Sequence, residues 1–154
     1  MSDLASSSMY LADESSSSQI PSGWQLIDSK DTQPARLKVL VVDDQRLIAD
    51  TVVDILTDAG FHAIPAYDAM SALKVAESFR PDYLLSDVLM PRMNGVQLAI
   101  AILKAHPAAR ILLFSGQSGT TEILLEGKKQ GYEFELLAKP IHPLKLIERL
   151  KEQK

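Results

Sequence analysis

Leu37-Lys38-Val39-Leu40-Val41-Val42-Asp43-Asp44 carries the first reading of the fold. Six nearly continuous apolar and β-branched positions lack the polar alternation of a half-solvated strand. They fit a strand buried on both faces of a sheet. The run breaks abruptly into two aspartates. Residues 46–59 then place Ile48, Val52, Ile55, Leu56 and Ala59 at helical spacing, and Gly60 closes them.

The same alternation continues downstream. His62-Ala63-Ile64-Pro65-Ala66 reads as a weak strand, and Pro65, which has no N–H for a ladder, assigns it to a sheet edge. Asp68 is a good N-cap for a helix to about Phe79, ended by Arg80-Pro81. Residues 83–86 form a third strand with Asp87 at its end. A loop leads to a helix over about 95–105, stopped by His106-Pro107. Residues 111–114 make a fourth strand ending at Ser115-Gly116. Residues 119–130 read as the least secure helix because Gly119 and Gly127 interrupt them. Residues 133–138 read as a fifth strand and 143–152 as a closing helix. Five strand–helix units in alternation predict an α/β fold, a parallel sheet with helices on both faces.

Residues 1–36 differ in kind. Serine fills eight of the first eighteen positions, and few apolar groups are present to offset the entropy of ordering. Residues 1–36 are therefore read as a disordered tail and 37–154 as the domain. Ile20-Pro21-Ser22-Gly23-Trp24-Gln25-Leu26-Ile27 is the apolar exception, either a linker or a segment that docks Trp24, Leu26 and Ile27. The tail lacks the basic start and apolar run of a secretory signal. No later stretch reaches transmembrane length. The expected location is cytoplasmic, without membrane insertion. There is no cysteine, which excludes disulfides and thiolate metal sites. The net charge of −4 lies mostly in the tail, and no basic run supports direct binding to nucleic acid. With the tail and one domain using the whole chain, no separate output module is expected.

The chemistry lies at the strand ends. The first strand ends in Asp43-Asp44, the third in Asp87, the fourth in Ser115 and the fifth in Lys139. In a parallel sheet these ends point the same way, and ligands of open α/β sheets bind outside them. Three carboxylates, a hydroxyl and an ammonium therefore converge. Crowded carboxylates repel one another, and a hard divalent cation such as Mg²⁺, which takes oxygen ligands and keeps several waters, relieves that repulsion. Lys139 supplies a second, movable positive charge. An aspartate in such a group is a candidate covalent phosphoryl acceptor, with cation and lysine offsetting the developing charge.

Asp43-Asp44, the run Asp87-Val88-Leu89-Met90-Pro91-Arg92-Met93-Asn94-Gly95, Ser115-Gly116 and Lys139-Pro140 together resemble the receiver domain of bacterial two-component response regulators. The resemblance spans about residues 37–152. It implies a flavodoxin-like (βα)5 fold with a five-stranded sheet in the order 2-1-3-4-5. It implies that Asp87 is the phosphoacceptor and that Ser115 and Lys139 contact the phosphoryl group. It further implies Mg²⁺ held by Asp43, Asp44, Asp87 and the backbone carbonyl of Leu89, with Asp44 the favoured direct ligand of the pair. A cis Lys139-Pro140 bond is part of the same expectation. The implied donor is a sensor histidine kinase or a histidine phosphotransfer protein. The implied output is a phosphorylation-dependent contact with a downstream protein through about residues 117–152, or onward phosphorelay, with no enzymatic turnover beyond the domain's own phosphorylation and dephosphorylation.

Two features depart from the family pattern. The position three residues before the lysine, aromatic in many receivers, is Leu136, and the segment 131–139 is one residue longer than usual. Leu89 and Gln117 fall where family members tune the lifetime of the phosphoryl group. Plainer readings compete with each residue alone: a helix cap for Asp43-Asp44, a loop cap for Asp87 and a turn residue for Ser115. His62, His106 and His142 read as structural or solvated, and Met90 and Met93 as loop packing. A phosphorylation-independent interaction domain is the alternative function, and a phosphatase or mutase using Asp87 is a third.

Overall fold

A computed structural model of the chain describes residues 36–116 and 119–152. The Ser-rich tail, the Trp24 segment and Gln117 lie outside the described residues. The elements are β1 (Lys38–Val42), α1 (Arg46–Asp58), β2 (His62–Ala66), α2 (Ala69–Phe79), β3 (Tyr83–Asp87), α3 (Gly95–Ala105), β4 (Arg110–Ser115), α4 (Thr121–Lys129), β5 (Glu135–Ala138) and α5 (Pro143–Lys151). All strands pair in parallel in the order β2-β1-β3-β4-β5. This is the α/β arrangement that the alternation predicted, in the flavodoxin-like strand order that the resemblance implied. Pro65 sits on the edge strand β2, as its missing N–H requires.

The apolar runs read as buried on both faces divide their side chains between two layers. Val39 and Val41 of β1, Leu85 of β3, and Leu112 and Phe114 of β4 pack with Val52 and Leu56 of α1 and with Leu146 and Leu150 of α5. Leu40, Val42 and Leu84 face the other way, onto Ala72 and Ala76 of α2 and Leu98 and Ile102 of α3. Leu113 joins Val96 and Ile100 beneath α4. The period-2 alternation of a strand thus feeds both layers, and helical spacing answers it on each side.

Caps set the helix starts beside the site. Asp68 accepts from the Ser71 N–H at 2.7 Å. Asn94 accepts from the Gln97 N–H, and the Gln97 side chain accepts from the Asn94 N–H, both at 2.9 Å, a complete capping box for α3.

Two elements differ from the sequence reading by more than one residue. β5 begins at Glu135, not at 133, because the preceding residues are committed elsewhere. The Tyr132 N–H donates to the Gly127 carbonyl at 2.9 Å, and the Tyr132 and Phe134 rings stack with centroids 6.0 Å apart. β5 is also largely exposed, with Leu136 at 41%. Lys139 therefore leaves an exposed edge strand. The second difference is α4, which spans only Thr121–Lys129 and whose one buried residue is Gly127. A Cβ there would lie 2.7 Å from Val96 Cγ1 of α3, so the glycine that weakens the helix is what allows its close approach.

Candidate phosphoryl and cation site

The strand register brings the site together. Val42 lies opposite Ser86, Asp87 opposite Phe114, and Ser115 opposite Ala138. The ladder runs on past the strands beneath the polar side chains. The Asp43 N–H donates to the Ala66 carbonyl at 3.2 Å, Val88 to Phe114 at 3.1 Å and Lys139 to Ser115 at 3.0 Å. Asp43 and Lys139 are thus held by backbone hydrogen bonds to the neighbouring strand, and Asp87 and Ser115 by the strands themselves.

Asp43 is fully buried, and both its oxygens are engaged. Oδ1 accepts from the Gln45 N–H at 2.9 Å, and Oδ2 accepts from Lys139 Nζ at 3.0 Å. Lys139 Nζ also lies 3.4 Å from Asp87 Oδ2 and 5.0 Å from the centre of the Phe114 ring. Asp44 is exposed at the rim. Carboxylate oxygens of Asp43, Asp44 and Asp87 lie within 4.8 Å of one another. A cleft of about 160 Å³ opens beside them, lined by Gln45, Ile48, Asp87, Leu89, Ser115, Gly116 and Lys139. Every residue expected at the site is therefore in or beside this cluster, Leu89 by its place in the cleft wall.

The helix-cap reading of Asp43-Asp44 does not describe what is found. Gln45 occupies the N-cap position of α1 and makes no side-chain cap bond. The histidines lie in other roles: His62 meets Phe79 edge to face, His106 follows α3 as its C-cap, and His142 precedes α5. Met90 and Met93 pack against the α2–α3 layer, as loop packing required. The Lys139-Pro140 bond is cis.

Burial pushes the Asp87 carboxyl above its ordinary range; Asp43 and Asp44 push the same way, and Lys139 opposes them. A carboxyl whose folded pKa exceeds its unfolded one stabilises the fold fully below the unfolded value and loses that contribution as pH rises through the folded value. Ionised Asp87 is thus a cost to the fold at neutral pH. Asp87→Asn is expected to raise the thermal midpoint there in the presence of a chelator, with the gain shrinking as pH falls into the carboxylate range. Thermal unfolding between pH 4 and 8 measures this, and a lower midpoint for the variant at neutral pH contradicts it.

Sequence reasoning missed Gln45 and Ile48 as cleft walls and the structural demand at Gly95. Gln45 carried a signal in standing directly after the acidic pair. Gly95 was visible only as part of a quoted run. A Cβ on Gly95 would lie 2.1 Å from the Asp87 carbonyl oxygen.

Fold and site together define a receiver-type module: a doubly covered parallel sheet with acids, a hydroxyl and a lysine at the carboxyl ends of its strands. Residues 39–151 match the family model of the response regulator receiver domain, and the chain belongs to that family. The chemotaxis protein CheY of Thermotoga maritima is 32% identical over 114 residues, covering 73% of this chain and 93% of that protein. The DNA-binding response regulator MtrA of Mycolicibacterium paratuberculosis is 29% identical over 116 residues, covering 75% of this chain and 50% of that protein. The chain thus spans about half the length of the MtrA relatives, and the match falls on the receiver part. Among solved structures, the chemotaxis protein CheY4 of Vibrio cholerae superposes with a TM-score of 0.68 at 31% identity, covering 76% of this chain and 98% of that one. The chain holds the receiver domain of a two-component response regulator. Among the described residues no helix is long and apolar enough to cross a membrane.

Proposed function

We propose that Asp87 accepts a phosphoryl group from a phosphohistidine of a sensor histidine kinase or histidine phosphotransfer protein, in a Mg²⁺-dependent reaction. The observation that carries this is the placement of Lys139 Nζ 3.0 Å from Asp43 and 3.4 Å from Asp87, at the wall of a cleft that also holds Ser115. The all-oxygen donor set of Asp43, Asp44 and Asp87 fits Mg²⁺, with the Leu89 carbonyl as a further ligand. Bound there, Mg²⁺ would neutralise charge on the transferring group's oxygens.

An Asp87 carboxylate oxygen attacks phosphorus. The O–P bond forms as the N–P bond breaks, and the bonding pair returns to the donor imidazole. Lys139, already between two carboxylates, is placed to follow the new negative charge. The Ser115 hydroxyl, in the cleft wall, would donate to a phosphoryl oxygen. Buried Asp43, fixed at both oxygens, keeps the lysine and the cluster aligned. Attack by water on the acyl phosphate returns the carboxylate, releases inorganic phosphate and ends the signal.

An apolar groove of about 300 Å³ supports a protein donor. Leu47, Ile48, Thr51 and Ile55 of α1 line it with Pro140 and Ile141, and it shares Ile48 and Lys139 with the cleft. A donor helix laid there would stand beside Asp87. Output through about residues 117–152, to a downstream protein or by phosphorelay, is the companion proposal. With Leu136 at the usual aromatic position, the signal would travel through α4 and β5 without a ring changing rotamer there. A phosphorylation-independent module finds no support in the site, which retains every acid and the lysine.

The chain is expected to take up an acid-labile phosphoryl group from acetyl phosphate only when Mg²⁺ is present. Labelling that persists in excess chelator would sink this reading.

A further inference from the structure

We propose that Tyr67 is a positioning residue for the acidic site: it holds the Arg46 guanidinium off Asp44 and so leaves that carboxylate open to a divalent cation. The inference rests on the cation-binding reading above. Arg46 opens α1, two residues after Asp44. Its Cζ lies 4.0 Å from the centre of the Tyr67 ring. Tyr67 follows β2 directly, and its hydroxyl donates to Asp50 Oδ1 at 2.6 Å. Asp50 lies one helical turn beyond Arg46 on α1. The ring receives the guanidinium on its face while its hydroxyl is tied to the same helix.

Both ends of this clamp are anchored. The carbonyl of Ala66, the residue before Tyr67, accepts from the Asp43 N–H at 3.2 Å, and Asp68, the residue after it, caps α2. Tyr67 itself is half-buried against the layer that holds Val41 and Val52. Neither Arg46 nor Tyr67 lines the phosphoryl cleft.

Arg46 needs such restraint because of what stands beside it. A guanidinium is permanently charged and presents a planar fork that matches a carboxylate. Two residues from exposed Asp44, an unanchored Arg46 would be an intramolecular competitor at high effective concentration. The cation–π contact holds the guanidinium on the Tyr67 ring, which its charge-assisted bond to Asp50 keeps in place.

Titration calorimetry of the full chain with Mg²⁺ tests this. Tyr67→Leu is expected to bind about five-fold more weakly, the scale of an exposed ion pair. Tyr67→Leu with Arg46→Gln is expected to return to wild-type affinity, and Arg46→Gln alone to match or exceed it. A purely structural role for the ring gives no reason for Arg46→Gln to restore binding. The inference is overturned if Tyr67→Leu binds as wild type, or if the double variant stays as weak as Tyr67→Leu. It is equally overturned if Arg46→Gln alone binds more weakly, an arm that needs no change to the half-buried ring. A wild-type chain that binds no Mg²⁺ overturns the proposed function and this inference together. Variant failure against a binding wild type overturns this inference alone.

Discussion

Lys139→Ala is expected to lose about 3 kcal/mol of folding stability at neutral pH in the presence of a chelator, the cost of stripping a buried carboxylate of its partner. Asp43 is fully buried, and Lys139 Nζ is bound to its Oδ2 at 3.0 Å. The same nitrogen lies 3.4 Å from Asp87, whose side chain is 12% exposed. The side chain of Lys139 is itself 19% exposed, so solvent screens these pairs poorly. Removing it leaves two poorly solvated anions side by side. The loss should shrink as pH falls, because Lys139 is the group that opposes the upward push on Asp87, and without it that carboxyl takes up its proton more readily. Millimolar Mg²⁺ should recover part of the loss by binding only the folded chain. Urea unfolding with chelator, with Mg²⁺ and at two pH values measures all three effects. A loss below about 1 kcal/mol, as for a solvent-screened surface pair, would contradict the site's description.

Gly95→Ala is expected to destabilise by about 3 kcal/mol, the upper range for overpacking, because the obstacle is backbone. The added Cβ would lie 2.1 Å from the Asp87 carbonyl oxygen and 3.0 Å from both the Asp87 carbonyl carbon and Val88 Cα. No rotamer relieves that contact. The Gly95 N–H donates to the Val88 carbonyl at 2.8 Å, which pins the start of α3 against the end of β3. Movement there carries Asp87 with it. The variant should therefore also bind Mg²⁺ more weakly at temperatures where it is still folded. Unchanged stability would mean that α3 does not approach the Asp87 backbone as described.

Much of the fold was legible because periodicity, caps and breakers agreed locally. The run ending at Val42, the Asp68 cap and Pro65 on an edge strand all point one way, and packing did not override them. The convergence of Asp43, Asp44, Asp87, Ser115 and Lys139 was equally legible, since parallel strands must deliver their carboxyl ends to one side. What could not be read depends on contacts distant in sequence. The late start of β5 follows from a bond between Tyr132 and Gly127 and from ring stacking. Exposure of β5 follows from its place at the sheet edge, where an apolar sequence looks the same as in a buried strand. The ring of Tyr67 beneath Arg46 joins residues twenty-one apart, and nothing in their local pattern announces it.

Asp87 is the proposed phosphoryl acceptor, and the surrounding groups are proposed to serve it. Reductive trapping of the acyl phosphate with borohydride, after incubation with acetyl phosphate and Mg²⁺, locates the group by peptide mapping. Modification is expected at Asp87 alone, lost in Asp87→Asn and absent when Mg²⁺ is chelated. Trapping at Asp43, Asp44 or any other residue of the wild-type chain, or undiminished labelling of Asp87→Asn, would contradict it.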